Sequence, residues 1–283
     1  MDILNEPKII PMHIGNRTIR FGTRSFIMGI LNVTPDSFSD GGDFSAVDAA
    51  FLHAKEMIAD GAHIIDVGGE SSRPGYTEVS AEEEMRRVIP VIRRLAAETD
   101  VLISIDTMKA SVAEAALKAG AHILNDVWGL QKDPEMAYVA AKYDVPIIVM
   151  HNHDGTEYKH ALMDEMMRFF EHTFTIADQA GLSRENLILD PGIGFGKDFE
   201  QNLDAMRNLA QLRALGYPVL LGTSRKRMIG TILDVPPKER THGTVATTVV
   251  GIMQGMDIFR VHDVKENAHA AQVTDAIVRR THG

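Results

Sequence analysis

Short apolar runs, rich in β-branched residues, recur along the chain between longer amphipathic stretches. Each run is too continuously apolar to leave one face in water, which is typical of parallel strands covered on both sides. The runs are Phe26–Leu31, His63–Val67, Leu102–Ile105, His122–Leu124, Pro146–Met150, Leu187–Leu189, Pro218–Leu221 and Ile258–Val261. The pattern therefore predicts about eight buried parallel strands.

The stretches between these runs carry helical periodicity. After Ser45, apolar residues recur at helical spacing up to Gly61, which stands where a C-terminal cap belongs. Ser80 and Glu83 have the spacing of a capping box before a second helix, which Pro90 is expected to kink. Eight alternations of strand and helix in 283 residues predict an α/β protein built as a single (β/α)8 TIM barrel. A doubly wound open sheet is the alternative.

The whole chain, residues 1–283, is expected to form one domain. No Gly/Ser linker, low-complexity segment or block of like charge marks a boundary. Within residues 1–24, the turn sequence Gly15-Asn16 predicts a short hairpin, which we expect to close the bottom of the barrel.

Charge and composition narrow the class of partner. With 39 acidic against 29 basic residues, the formal net charge of -10 disfavours nucleic acid and anionic membranes as partners. The absence of cysteine excludes disulfides and thiolate chemistry, and the N-terminal sequence lacks the layout of a signal peptide. We therefore expect a cytoplasmic protein that acts on small molecules.

Polar residues follow every predicted strand. In a barrel these positions meet at one rim, where the active sites of such folds lie. They are Asn32; Asp66, Glu70 and Arg73; Asp106; Asn125 and Asp126; His151 and Asn152; Asp190; Ser224, Arg225 and Lys226; and Arg260, His262 and Asp263. One such residue is ordinarily a cap or a turn contact, but their recurrence at all eight strands predicts a functional site.

The rim residues fall into two chemical groups. Carboxylates, an amide and a lysine suit the donor-rich edge of a flat heterocycle inside an apolar wall, and are supplied by Asp106, Asn125, Asp190 and Lys226. Guanidinium, imidazole and amide groups suit a phosphate or diphosphate together with Mg²⁺, and are supplied by Asn32, Arg73, Arg260 and His262. The glycine-rich segment 191–196 fits neither a dinucleotide fingerprint nor a Walker A motif, because Asp198 stands where Ser or Thr is required.

At these residues the chain resembles a known family, the dihydropteroate synthases of folate biosynthesis. Two long segments carry the family's signatures, Gly29–Gly42 (GILNVTPDSFSDGG) and Gly61–Gly75 (GAHIIDVGGESSRPG). The resemblance continues through Ser104–Thr107, Asn125–Gly129, Leu189–Phe195, Thr223–Lys226 and Arg260–Asp263. It covers essentially the whole chain from about Phe26, and motifs of this length are highly specific.

The resemblance implies an enzyme that joins p-aminobenzoate to 6-hydroxymethyl-7,8-dihydropterin diphosphate and releases diphosphate, with Mg²⁺ as cofactor. It implies that the pterin is bound by Asp106, Asn125, Asp190 and Lys226, with Met150, Phe195 and Gly222 as walls. It also implies that Arg73, Arg260 and His262 hold the diphosphate and that Asn32 contacts the metal ion. Members are homodimers through late helices, for which Val245, Val249, Ile252 and Met253 would suit an interface or the core equally well.

The p-aminobenzoate pocket is implied to come from the first two βα loops, through Asp36, Phe38, Asp40, Ser72, Arg73 and Pro74. One position departs from the family. In many members a serine lies beside the p-aminobenzoate carboxylate, and this chain has Arg227 at that position.

The expected route is dissociative (SN1-like): diphosphate leaves first, Asp40 faces the methylene cation, and Asp190 holds the pterin. The expected catalytic residues are thus Asp40, Arg73, Asp190 and Lys226.

Three other functions remain open from the residues alone. A pterin-dependent methyltransferase would share the barrel and the Asp and Asn anchors, but would not need Arg73. A Schiff-base aldolase would use Lys226, although no neighbour besides Arg225 is expected to lower its pKa. A non-catalytic pterin-binding protein would have no use for the diphosphate contacts. Trp128 is expected either to wall the pterin pocket or to pack beneath a loop.

Overall fold

The computed structural model describes residues 8–33, 43–70 and 79–279, with residues 43–45 described in their backbone alone. Six residues of the expected site lie outside these ranges, namely Asp36, Phe38, Asp40, Ser72, Arg73 and Pro74. Their assignments stay predictions.

Eight parallel strands form one sheet, as the apolar runs predicted. The strands are β3 (Phe26–Asn32), β4 (Ile64–Gly68), β5 (Leu102–Asp106), β6 (Ile123–Asp126), β7 (Ile147–Met150), β8 (Leu187–Asp190), β9 (Leu220–Leu221) and β10 (Ile258–Val261). They are ordered β8-β7-β6-β5-β4-β3-β10-β9, and a parallel bridge between Leu189 and Val219 brings β8 to the start of β9. The sheet therefore curls into a nearly closed (β/α)8 barrel, and the doubly wound alternative is wrong.

Helices connect successive strands on the outside of the barrel. They are α1 (Asp43–Ala59), α2 (Ala81–Glu98), α3 (Ala110–Ala119), α4 (Met136–Tyr143), α5 (Leu162–Gln179), α6 (Phe199–Arg207), α7 (Leu209–Ala214), α8 (Arg227–Leu233), α9 (Thr241–Met253) and α10 (Val264–Val278), with short 3₁₀ turns at Arg184–Asn186 and Pro237–Glu239. In the described ranges, no helix is long and apolar enough to cross a membrane.

An antiparallel hairpin precedes the barrel, with strands β1 (Ile10–Ile14) and β2 (Arg17–Phe21) joined at Gly15-Asn16. Its buried side chains Met12, Ile14 and Phe21 pack against an apolar layer to which every barrel strand contributes. That layer includes Met28, Ile64, Leu102, Ile123, Ile148, Ile188, Leu220 and Ile258. Because this layer lies toward the N-terminal ends of the strands, the hairpin covers that end and the polar residues remain at the other.

The second helix, α2, is capped by Ser80 as its sequence pattern predicts, whereas Glu83 pairs with two arginines. Ser80 Oγ accepts the Glu83 backbone N–H at 3.2 Å, as a helix cap should. The Glu83 carboxylate accepts hydrogen bonds from Arg86 and Arg87, one turn further on. The helix spans Ala81–Glu98 with Pro90 inside it.

Candidate active site

Strand register places three of the rim residues in one row, with Gly68 between the first two. Asn32 on β3 pairs with Gly68 on β4, which pairs with Asp106 on β5, which in turn pairs with Asn125 on β6. A Cβ on Gly68 would lie 3.6 Å from the Asp106 Cβ and 3.9 Å from the Asn32 Oδ1. The expected metal contact and two expected pterin contacts therefore line one continuous arc of the barrel mouth.

A network of buried charge lies one layer deeper. Arg260 on β10 donates from Nε to Asp66 Oδ2 at 2.6 Å and from Nη2 to Asp106 Oδ2 at 2.7 Å. Asn125 Nδ2 donates to the same Asp66 oxygen at 3.1 Å. Burial raises the pKa of the Asp106 carboxyl, and the Arg260 guanidinium opposes that rise. Asp66, to which the sequence assigned no role, thus orients two expected ligand-binding residues.

Asp190, at the end of β8, is buried and is held by the glycine-rich segment 191–196. The Gly192 N–H donates to Asp190 Oδ1 at 2.7 Å. Burial raises the pKa of the Asp190 carboxyl, whereas the Lys226 ammonium opposes the rise. Asp190 and Lys226 therefore lie close enough to interact electrostatically.

Lys226 contacts the same glycine-rich segment. Its Nζ donates to the Ile193 carbonyl oxygen and lies 4.6 Å from the centre of the Phe195 ring. A Cβ on Gly222 would lie 3.9 Å from Nζ, so the absence of a side chain at Gly222 leaves space beside the amine. Burial lowers the pKa of Lys226 to about 8, an effect that Asp190 opposes and Arg260 strengthens. The expectation that no neighbour besides Arg225 would lower this pKa is wrong, because Arg260 lowers it.

Apolar side chains form a wall between β5 and the glycine-rich segment. Met108, Val127 and Met150 make a small buried cluster, against which Trp128 and Phe195 pack. Trp128 therefore belongs with two expected walls of the pterin pocket. Met108 has no distinctive signal in the sequence, since its contact with this cluster depends on how the loop after β5 folds.

Two further pairs of rim residues form next to Lys226 in the chain. Ser224 Oγ accepts the backbone N–H of His262 at 3.0 Å and lies 2.9 Å from its Nδ1, which fixes the plane of the imidazole. Arg225 pairs with Asp263, with Nε 3.0 Å from Oδ2. His262 thus sits beside the Lys226 loop and next to Arg260 on the same strand end.

Some strand-end residues serve the loops rather than the barrel mouth. Asp126 accepts the N–H groups of Trp128 and Leu130 and closes a turn. Glu70 and the fully buried Glu84 both accept from the Lys109 ammonium. Arg227, expected beside the p-aminobenzoate carboxylate, begins α8 and is exposed.

Comparisons with known proteins agree with this geometry. The family model described as pterin binding enzyme matches residues 28–262. A dihydropteroate synthase of Clostridium beijerinckii is 58% identical over 270 residues, which is 95% of this chain and 100% of the relative. The family match thus extends from the first to the last strand of the barrel.

Solved structures give the same relationship. The dihydropteroate synthase of Clostridium difficile, determined in the presence of pteroic acid, has a TM-score of 0.90 at 58% identity and covers 92% of this chain and 98% of its own. The Xanthomonas albilineans enzyme with 4-aminobenzoic acid has a TM-score of 0.90 at 40% identity. The match covers 95% of this chain and 98% of that enzyme. This chain therefore belongs to the pterin-binding enzymes and, within them, to the dihydropteroate synthase family.

Proposed function

We propose that this protein condenses 6-hydroxymethyl-7,8-dihydropterin diphosphate with p-aminobenzoate to 7,8-dihydropteroate and releases diphosphate. The observation that carries the proposal is the convergence of Asp106, Asn125, Asp190 and Lys226 on one mouth of the barrel, with Arg260 and His262 next to them. Such a mouth joins a pocket for a flat heterocycle to a basic rim for an anion.

The pterin half of the site uses complementary hydrogen-bonding groups. Carboxylates at Asp106 and Asp190 accept from ring and exocyclic N–H groups, whereas Asn125 and Lys226 donate to ring acceptors. The apolar cluster that includes Met150, with Phe195 packed against it, supports a stacked ring. Both carboxylates are at least nine-tenths buried, so hydrogen bonds from a ligand gain strength from the low local dielectric.

The anion half of the site would hold the diphosphate between Arg260 and His262, with Arg73 as a further predicted contact. Asn32 would hold Mg²⁺ through its amide oxygen, which faces the arc next to Gly68. One neutral protein ligand fits this ion, because Mg²⁺ usually keeps several waters and binds substrate phosphates. When bound, Mg²⁺ neutralises charge on the leaving diphosphate.

The reaction then proceeds with little covalent work by the protein. The bond between the pterin methylene carbon and the diphosphate oxygen breaks, and its electron pair leaves with the diphosphate. The buried carboxylates, above all Asp190, stabilise the positive charge that spreads over the pterin. The neutral arylamine attacks the methylene, forms the C–N bond and loses its proton to water. Asp40, which lies outside the described residues, is the predicted stabiliser of the cation.

The test is the stoichiometry of the complete reaction. The purified protein is mixed with the pterin diphosphate, p-aminobenzoate and Mg²⁺, and dihydropteroate and diphosphate are measured together. The proposal predicts equal amounts of both products, and the dissociative route predicts slow diphosphate release without p-aminobenzoate. Tight pterin binding with no diphosphate release under any condition would establish the non-catalytic alternative instead.

Two further predictions accompany this function, one for the oligomeric state and one for the cellular location. Val250 and Met253 on α9 and Val273 and Ile277 on α10 are exposed, which supports a homodimer through these helices, whereas Ile252 belongs to the core. A Met253→Glu variant that becomes monomeric in light scattering would support that interface, and an unchanged mass would contradict it. The cytoplasmic location stays a prediction.

A further inference from the structure

Another lysine, Lys197, is buried against the glycine-rich segment. Lys197 is 8% exposed, and its Nζ lies 2.8 Å from His151 Nδ1, 3.0 Å from the Gly192 carbonyl oxygen and 3.0 Å from the Phe195 carbonyl oxygen. An ammonium group has three hydrogens to donate, so these three acceptors account for all of them. No pattern in the sequence assigns a role to this lysine.

The segment that Lys197 contacts has little conformational preference of its own. Gly192, Gly194 and Gly196 all have positive φ angles, of 65°, 86° and 54°, which glycine adopts at no steric cost but does not favour over other regions. The conformation therefore depends on external contacts. Asn202 and Tyr158 hold Gly194 and Gly196 from outside. Lys197 joins the two ends of the turn, Gly192 and Phe195, to the first residue after β7.

The same segment presents three groups to the pterin half of the site. Its Gly192 N–H donates to Asp190, its Ile193 carbonyl accepts from Lys226, and its Phe195 ring packs on the cluster that includes Met150. A misplacement of about 1 Å in such a segment is of the size that slows a catalysed reaction by about a hundredfold. A contact that holds segment 191–196 in place therefore also holds the groups of the pterin pocket in place.

We propose that Lys197 is a positioning residue for the pterin pocket, which acts by holding segment 191–196 against His151. The inference deepens the proposed function and rests on it, because the pocket is taken to bind a pterin. Lys197 itself contacts the backbone of the segment, and its effect passes through Asp190, Phe195 and Lys226.

Burial changes the pKa of both members of the Lys197–His151 pair. Burial, followed by the charge of Lys197, lowers the pKa of His151 to about 2, so the imidazole stays neutral and Nδ1 keeps a lone pair as acceptor. Burial lowers the pKa of Lys197 to about 7, while Asp190 opposes that change and Lys226 adds to it. Asp190 therefore lies close enough to both lysines to raise the pKa of each.

The experiment compares Lys197→Met, Lys197→Gln and the wild type, with Lys142→Met as the control. Lys142 is an exposed lysine paired with Glu114 on the outer helices. Binding of 6-hydroxymethylpterin is followed by quenching of Trp128, the only tryptophan in the chain, which packs against the pocket wall. Steady-state KM values for the pterin diphosphate and for p-aminobenzoate are measured in parallel.

The proposal predicts at least a tenfold weaker Kd for 6-hydroxymethylpterin in Lys197→Met, and at least a threefold weaker one in Lys197→Gln. The KM for p-aminobenzoate should change less than twofold. Pterin affinity within twofold of wild type in a folded variant overturns the proposal, as does an equal loss for both substrates. If Lys197→Met does not fold, Lys197→Gln decides.

Failure of the proposed function gives a different result. A wild-type protein that binds the pterin but forms no dihydropteroate refutes the synthase activity, while the binding comparison still decides the role of Lys197. A wild-type protein that does not bind the pterin refutes both.

Discussion

The Arg260 guanidinium contacts Asp106 directly, with Nη2 2.7 Å from Oδ2, although 154 residues separate them in the chain. Its Nε simultaneously contacts Asp66, which is fully buried. An expected diphosphate contact and an expected pterin contact are therefore parts of one buried ion network. The two halves of the substrate should consequently be bound in a coupled way.

Removing the charge of Asp66 tests this coupling. In Asp66→Asn, Arg260 keeps Asp106 but loses a buried charged partner, so we expect the free energy of unfolding to fall by about 3 kcal/mol. Pterin and inorganic diphosphate should both bind more weakly, as measured by calorimetry. Asp178→Asn is the matched control because it breaks an exposed pair with Arg184, which solvent screens, and should cost far less stability. Independent, unaltered binding of both ligands would contradict the coupling.

The lowered pKa of Lys226 predicts a pH dependence of pterin binding. Its protonated form donates to the ligand, and that form is lost as the pH rises through about 8. Affinity for 6-hydroxymethylpterin should therefore fall by about tenfold between pH 7 and pH 9. Lys226→Arg stays charged over this range, so it should lack that fall even if it binds more weakly. A flat profile for the wild type would refute the role of the ammonium group.

His63 predicts a loss of stability in mild acid. Its Nδ1 accepts the Ile27 backbone N–H at 3.1 Å, and burial, with help from Arg24, lowers its pKa to about 4. Since the unfolded chain binds the proton more readily, stability present above pH 6.5 is lost as the pH falls toward 4.

The loss attributable to His63 should be about 2 kcal/mol, allowing for its partial exposure. Urea unfolding at pH 7 and pH 4.5 of wild type and His63→Leu measures it, since the variant should lose less stability on acidification. His172→Leu, at an exposed position, should behave like the wild type. Equal acid sensitivity of all three proteins would show that His63 does not titrate as described.

Gly192 should tolerate no side chain. A Cβ there would lie 1.9 Å from the His151 carbonyl oxygen, and φ is +65°. Gly155 also has a positive φ, +96°, but no atom within 4 Å of its Cβ position. We expect Gly155→Ala to cost about 1 kcal/mol from backbone strain alone. Gly192→Ala should cost about 3 kcal/mol or more and should also weaken pterin binding. Comparable stabilities of the two variants in thermal unfolding would contradict the close contact.

The strands and the rim were predictable because both depend on local order in the sequence. Apolar runs mark strands wherever both faces are buried, and a parallel barrel brings the ends of all its strands to one rim. The expected grouping of Asp106 with Asn125 and of Asp190 with Lys226 follows from that rule. The same rule placed Asp66 at the rim without a role, and it gave no role to Lys197. A carboxylate within a strand, or a lysine after a glycine-rich turn, has no pattern that reveals its partners on other strands.

The start of α6 illustrates the same limit in a local motif. Asp198 was noted because it excludes a Walker A motif, yet its side chain forms a reciprocal capping box with Gln201. At α2, where Ser80 and Glu83 have the spacing of that box, the glutamate pairs with two arginines on the following turn. Spacing indicates where a helix begins, but competing charged neighbours decide which hydrogen bonds form.

The most direct test of the central claim is dihydropteroate formation by the wild type and by Lys226→Ala at pH 7 with Mg²⁺ and both substrates. Lys142→Ala serves as the control, because that lysine lies on the outer surface of the barrel. The account predicts product from the wild type and the control, and at least a hundredfold loss of kcat/KM for the pterin diphosphate in Lys226→Ala. Wild-type turnover in Lys226→Ala, or no product from the wild type, would contradict it.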